Sequence, residues 1–152
     1  MKTPPQNAPR AVVVGMGRTG LSVARYLHRQ GWRVAATDSR AEPPERAALS
    51  AISDELVLRA GGFDSSLLSD AQLVMASPGV ALNEPIFAAA RDRGIEIVGD
   101  IELFARAVDA PVVGITGTNG KSTVTTLLGR MAERAGVRVR VGGNLGQPAL
   151  DL

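Results

Sequence analysis

The sequence predicts an α/β protein whose first part is a doubly wound parallel sheet, and three observations lead there. Short apolar runs recur at residues 11–14, 33–37, 56–58, 72–76 and 95–98. Stretches of helical character lie between most of them. Gly15, Asp38 and Ser77-Pro78-Gly79 close three of the runs at their C-terminal ends. Parallel strands are buried on both faces, so they read as continuous apolar runs, and each needs a crossover to bring the chain back.

Taken in order, Ala11-Val12-Val13-Val14 is the first buried strand. A helix is expected from Thr19 to Gln30, with Gly31 as its stop. Arg33 to Thr37 is the second strand. Residues 41–52 read as a surface helix entered through Pro43-Pro44. Leu56-Val57-Leu58 is the third strand, Gly61-Gly62 a turn, and Gln72 to Ala76 the fourth strand. Glu84 to Arg93 is a helix stopped by Gly94, and Ile95 to Val98 is the fifth strand.

A seam is expected near Gly99, dividing 1–99 from 100–152. Past it, Asp100 caps a helix that runs to Val108, and Pro111-Val112-Val113-Gly114-Ile115 is another strand. The next helix places Val124, Leu127, Leu128 and Met131 on one face, and Gly136 stops it. Val137 to Val141 is a strand closed by Gly142-Gly143-Asn144. A single strand–loop–helix–strand unit cannot cover both faces of its sheet. Residues 100–152 therefore read as the incomplete start of a second α/β domain.

Composition bounds the function. Of 152 residues, 45% are hydrophobic and 21% charged, which suffices for a core, but only 3% are aromatic, so packing must be aliphatic. The net charge is +2 with no run of like charges, which argues against a nucleic-acid partner. There is no cysteine, which excludes disulfides, thiolate zinc sites and cysteine nucleophiles. Met1 to Pro9 has no apolar leader core, and no apolar run approaches the roughly 18 residues of a membrane span. A soluble, cytoplasmic monomer without a membrane partner is expected.

Two glycine loops carry the chemistry. Gly117-Thr118-Asn119-Gly120-Lys121-Ser122-Thr123 joins an expected strand to a helix. Glycines let backbone N–H groups approach an anion, and the helix N-terminus adds partial positive charge. Lys121 then reaches the outer phosphates of ATP, and the Ser122 hydroxyl can ligate Mg²⁺. The usual phosphate-loop pattern has four residues between its glycines, whereas five separate Gly114 from Gly120 here. A plain glycine-rich turn is disfavoured by composition. Arginine supplies 15 of the 17 basic residues, and Lys121 is the only lysine beyond the N-terminal tail. A compact ammonium at this position suits a phosphate.

The earlier loop, Gly15-x-Gly17-x-x-Gly20, opens the first helix, and Asp38 follows 18 residues past Gly20. This is the Rossmann dinucleotide fingerprint with its acidic ribose partner. NAD, another nucleoside diphosphate, or a plain turn all fit it. Ser77-Pro78-Gly79 lies at the strand edge where ligands bind in open parallel sheets; Ser77 could donate to a sugar or base there, and a plain turn fits the segment equally well. His28 reads as a solvated or half-buried helix residue without a catalytic role, and Trp32 as packing the helix end. Glu96, Asp100 and Glu102 lack a matching metal cluster.

The motifs so far, with Gly99-Asp100-Ile101-Glu102-Leu103-Phe104 and Gly142-Gly143-Asn144, resemble in order the Mur ligases of peptidoglycan synthesis, in particular the D-glutamate-adding branch. The similarity runs over residues 11–150. It implies an ATP-dependent, ADP-forming amide ligase. ATP phosphorylates the carboxylate of UDP-N-acetylmuramoyl-L-alanine, and the D-glutamate amine attacks the acyl phosphate. The first domain then holds the uridine nucleotide, with Arg18 and Thr19 at the pyrophosphate and Asp38 and Ser39 at the uracil end. Ser77, Pro78 and Gly79 would lie near the nucleotide and Asn144 near the muramoyl part. Gly117 to Thr123 would hold ATP and Mg²⁺. Position 18 is Arg where the family commonly has an apolar residue. The family's catalytic Glu, His and modified Lys are expected beyond residue 152, so no catalytic residue is assigned here and the chain alone is expected to be inactive. Two other readings stand beside this one: an NAD-dependent oxidoreductase and a stand-alone nucleotide-binding module.

Overall fold

The structure, a computed structural model, describes residues 4–152. Five strands form one parallel sheet: β1 (Arg10–Val14), β2 (Arg33–Asp38), β3 (Val57–Ala60), β4 (Ala71–Ala76) and β5 (Glu96–Val98). Their spatial order is β3-β2-β1-β4-β5. The chain winds outward from β1 to β3, then returns to the other side of β1 for β4 and β5. That reversal puts a topological switch point between β1 and β4.

Two layers cover the sheet, and the pleat of β1 sorts them. Ala11 and Val13 pack with α1 (Arg18–Arg29), α2 (Arg46–Ser50) and α4 (Asp100–Ala107), through Leu21, Ala24, Leu27, Leu49 and Leu103. Val12 and Val14 pack on the opposite face with α3 (Pro85–Asp92) and a 3-10 turn at Ser65–Leu68, through Ile86, Phe87, Ala90, Leu67 and Leu68. Period-two alternation thus feeds both cores from one all-apolar run. Trp32 is half-buried against the first core, as expected, whereas His28, expected to be solvated or half-buried, is buried at 6% exposure.

Four other expectations are corrected. The helix expected over 41–52 is only α2, Arg46–Ser50. Pro43 and Pro44 disfavour α geometry in the residue before each of them and lack N–H donors, which delays the helix until after them. Asp100 does not cap α4: Gly99 is the cap residue and no side chain bonds the helix start. Asp100 and Glu102 instead lie in the first turn, where acids complement the helix dipole. The strands expected at 111–115 and 137–141 are not formed. A strand exists only as part of a ladder, and no described segment pairs with either.

The last long element, α5 (Lys121–Arg134), follows the second glycine loop. Its expected apolar face is real but uncovered. Val124, Leu127, Leu128 and Met131 are 40–58% exposed, and Gly129 is the only buried residue of the helix.

Candidate functional site

Because the strands are parallel, their C-terminal ends share one edge. Gly15–Gly17 after β1, Asp38 at the end of β2 with Ser39 and Arg40 beyond it, and Ser77–Gly79 after β4 all lie there.

The first loop is held from three sides. The Gly15 amide donates to the Thr37 carbonyl, 2.8 Å, which ties it to the end of β2. Ser77 ties it to β4: its amide donates to Val14 O, 3.0 Å, and its hydroxyl to Gly15 O, 3.2 Å. Gly15 has φ +105, and a Cβ there would sit 2.8 Å from Ser77 Oγ, so only glycine fits. The third side is Asp38. Its Oδ2 accepts from the Met16 amide at 2.7 Å and from Arg40 Nη2 at 2.7 Å. Its Oδ1 accepts from the Arg40 amide at 2.9 Å and from Arg40 Nε at 2.8 Å.

The Asp38 side chain is 3% exposed. The Arg40 guanidinium holds its carboxyl down to about 2, with the Met16 and Arg40 amides assisting against burial. All four lone-pair positions are filled. Asp38 therefore pins the first loop, and it offers no free acceptor to a ribose hydroxyl. Ser77 likewise spends its hydroxyl on Gly15. These two expected ligand contacts are, in the structure, parts of the frame around the loop. Pro78, Gly79 and Ser39 are exposed at the same edge, and Thr19 is half-buried in the first turn of α1.

What the frame presents is the start of α1. Gly17 is its N-cap, without a side-chain cap, and the first turn holds no acid. Leu21 N donates to Gly17 O, the first helical bond, so the amides of Arg18, Thr19 and Gly20 precede the ladder. A Cβ at Gly17 would meet nothing within 4 Å, whereas one at Gly20 would lie 2.0 Å from Gly15 O. Gly17 leaves the approach open, and Gly20 lets the helix close onto the loop. Free amides at an uncapped helix start with an open approach are the kind of arrangement that can receive an anion such as a diphosphate.

The second loop is separately built. Gly117 has φ +143, and Gly120, the N-cap of α5, has φ +77. Lys121 Nζ donates back to Gly117 O and to Thr118 O. Thr118, Asn119, Lys121, Ser122 and Thr123 are all exposed, and the first turn of α5 carries no acid. Among the described residues no hydrogen bond or ion pair joins this loop to the first cradle. No group of three His, Asp or Glu able to hold a metal occurs among them either. The exposed Ser122 hydroxyl could supply one ligand to Mg²⁺, an ion that usually keeps water and phosphate oxygens as its other ligands.

The model of the family described as Mur ligase MurD-like, N-terminal domain, matches residues 9–99. The chain belongs to this Mur ligase family.

Among its relatives is a UDP-N-acetylmuramoylalanine–D-glutamate ligase of Nitrosococcus oceani, 57% identical over 148 residues, covering 97% of this chain and 33% of that protein. A protein of the same name from Pseudomonas aeruginosa is 50% identical over 141 residues, covering 93% and 32%. The chain thus spans about a third of the length of the curated relatives it matches. Solved Mur-type ligases share the fold. A pseudomurein peptide ligase from Methanothermus fervidus aligns with a TM-score of 0.56 at 28% identity, over 84% of this chain and 26% of that one. A murein peptide ligase from Psychrobacter arcticus aligns at 0.59 and 20%, over 90% and 31%.

Arg40 escaped the sequence reading, although an Asp followed two positions later by Arg is a local pairing that the sequence displays. Thr37 escaped it too. Its hydroxyl donates to Gly62 O, 3.1 Å, and accepts from the Asp64 amide, 3.1 Å, bracing the end of β2. So did Arg18's actual partner. Its Nη2 donates to Gly146 O, 2.8 Å, bringing the loop that holds exposed Asn144 to the start of α1.

Proposed function

We propose that this chain is the UDP-substrate-binding part, with the beginning of the ATP-binding part, of an ATP-dependent ligase that adds D-glutamate to UDP-N-acetylmuramoyl-L-alanine. The observation that carries this is the pairing of two separate phosphate cradles in one chain, at α1 and at α5, together with 57% identity to a relative of that name across both. An oxidoreductase needs one nucleotide cradle and a free acidic acceptor for the ribose. The filled Asp38 carboxylate and the second loop both count against it.

In this reading residues 1–99 carry the nucleotide-substrate domain, and α4, past the boundary at Gly99, still packs onto its core through Leu103. The diphosphate of the UDP-sugar sits on the amides of residues 18–20, flanked by Thr19 and Arg18. The uridine lies along Ser39 and the edge held by Asp38 and Arg40, with Ser77, Pro78 and Gly79 walling the other side. Asn144 faces the muramoyl end. Gly117 to Thr123 wrap the ATP phosphates, Lys121 leaving its own loop carbonyls for them, and Ser122 gives one ligand to Mg²⁺. The metal would neutralise charge on the phosphates. A substrate carboxylate oxygen attacks the γ-phosphorus and releases ADP. The amine of D-glutamate then displaces phosphate from the acyl phosphate and loses a proton, leaving the amide. Residues for amine binding and proton transfer are assigned outside these 152 residues, so the chain by itself binds without ligating. The full ligase works in the cytoplasm as a monomer.

Calorimetric titration of the chain tests the reading. Binding of UDP-N-acetylmuramoyl-L-alanine without binding of NADH is the expected result. Tight NADH binding with no response to the UDP-sugar would overturn it.

A further inference from the structure

Arg18 is the first residue of α1, in a turn with no acid, and no described carboxylate lies within ion-pair distance of it. A cation at a helix N-terminus opposes the macrodipole. Its recorded side-chain bond is neutral and remote: Nη2 to the Gly146 carbonyl, 2.8 Å, across 128 residues of sequence. One turn further along α1, Ser22, 1% exposed, donates through Oγ to Asp151 Oδ1, 2.8 Å. The same helix face therefore holds the C-terminal segment at two points.

That segment is a compact unit. Gly143 N donates to Gln147 O, 2.8 Å, which closes residues 143–147 into a loop with Asn144 inside it. Gly142 packs so closely that a Cβ there would lie 2.7 Å from Gln147 O and 2.8 Å from Leu152 Cδ1. Gly146 and Asn144 thus lie in one short loop closed by that bond.

We propose that Arg18 is a positioning residue that ties the diphosphate cradle to the 142–147 loop and makes the placement of Asn144 respond to the bound diphosphate. A guanidinium carries five N–H donors in a rigid plane, and the Gly146 carbonyl takes one. The others serve a diphosphate on the α1 amides while the bond to Gly146 persists. An anion there orients the guanidinium, and the guanidinium orients the loop. The coupling rests on the substrate assignment proposed above, but the tie to the loop does not.

Hydrogen exchange on the chain, wild type and Arg18→Leu, with and without UDP-N-acetylmuramoyl-L-alanine, separates the two. Without ligand, Arg18→Leu should speed exchange of the hydrogen-bonded Gly143 amide about tenfold, the effect of losing one net hydrogen bond, and leave β1 and β4 unchanged. Unchanged exchange at Gly143 overturns the tie. With ligand, the wild-type loop should slow and the Arg18→Leu loop should not, at concentrations that saturate both. Equal slowing in both overturns the coupling. Arg18→Lys restores charge but not the planar fork, so it should recover affinity without recovering the slowed loop. If wild type does not bind the UDP-sugar, the substrate assignment and with it the coupling fail, while the ligand-free comparison still decides the tie.

Discussion

Gly20 and Gly17 stand three residues apart at the start of one helix, and alanine should affect them in different ways. At Gly20 the new Cβ would lie 2.0 Å from the Gly15 carbonyl oxygen and 3.3 Å from Val13 Cγ1. The oxygen is backbone, fixed by Ser77, so α1 must move away from β1 by more than an ångström. Overpacking of this kind costs about 1–3 kcal/mol, and a backbone obstacle puts Gly20→Ala at the upper end. Alanine's better helix propensity returns about 1 kcal/mol. The net is a loss of about 2 kcal/mol, or roughly 4–8 °C in Tm for a chain of this size. At Gly17, φ is −98° and nothing lies within 4 Å of the new Cβ. Gly17→Ala should stay within about 1 kcal/mol of wild type, the difference between a glycine and an alanine cap. It should weaken binding of the UDP-sugar instead, because the methyl group stands at the approach to the α1 amides. Urea unfolding followed by the fluorescence of Trp32, the single tryptophan, measures both, alongside calorimetry. A Gly20→Ala protein as stable as wild type would refute the close-packing argument.

Three further outcomes are expected. Asp38 is held at about 2, against about 3.9 in an unfolded chain, so its stabilisation is complete above that unfolded value and is lost as pH falls through 4 to 2. Asp38→Asn should therefore be less stable by about 2 kcal/mol at pH 7, with the gap closing below pH 4, and a gap constant from pH 7 to 2 would show that the charge is not what matters. Ser77→Ala removes the bond to Gly15 O and should cost about 1 kcal/mol in urea unfolding, without abolishing UDP-sugar binding. Lys121→Ala touches an exposed side chain and should leave stability within about 0.5 kcal/mol, while ATP affinity and turnover of the full-length ligase drop sharply; unchanged ATP affinity removes Lys121 from the phosphate site.

The sheet was legible because its signal is local. Val12, Val13 and Val14 are apolar in sequence and fully buried in the structure, on two faces at once. The glycine loops were legible for the same reason, since Gly15, Gly17 and Gly20 act over six residues. What joins them was not. Ser77 meets Gly15 only because strand order places β4 beside β1, and nothing in residues 15 or 77 announces it. The 3-10 turn at Ser65–Leu68 was also missed: it starts from Asp64, whose side chain accepts from the Ser66 amide, a short polar signal without apolar periodicity. Residues 111–115 and 137–141 show the converse error. Their apolar character was read correctly, but pairing depends on a neighbour, and hydropathy does not say whether one is there.

The bare face of α5 bears on how tightly the second loop can hold anything. A helix of 14 residues with one buried position draws little support from tertiary packing, and isolated helices of about that length are marginal in water. In the proposed ATP site, the amides that follow Gly120 are aligned only while the first turn is wound. Apparent affinity is the intrinsic affinity scaled by the fraction of molecules wound at that moment. Covering Val124, Leu127, Leu128 and Met131 would therefore sharpen nucleotide binding without adding a single contact to the nucleotide, because the grip of this loop depends on what stands behind its helix.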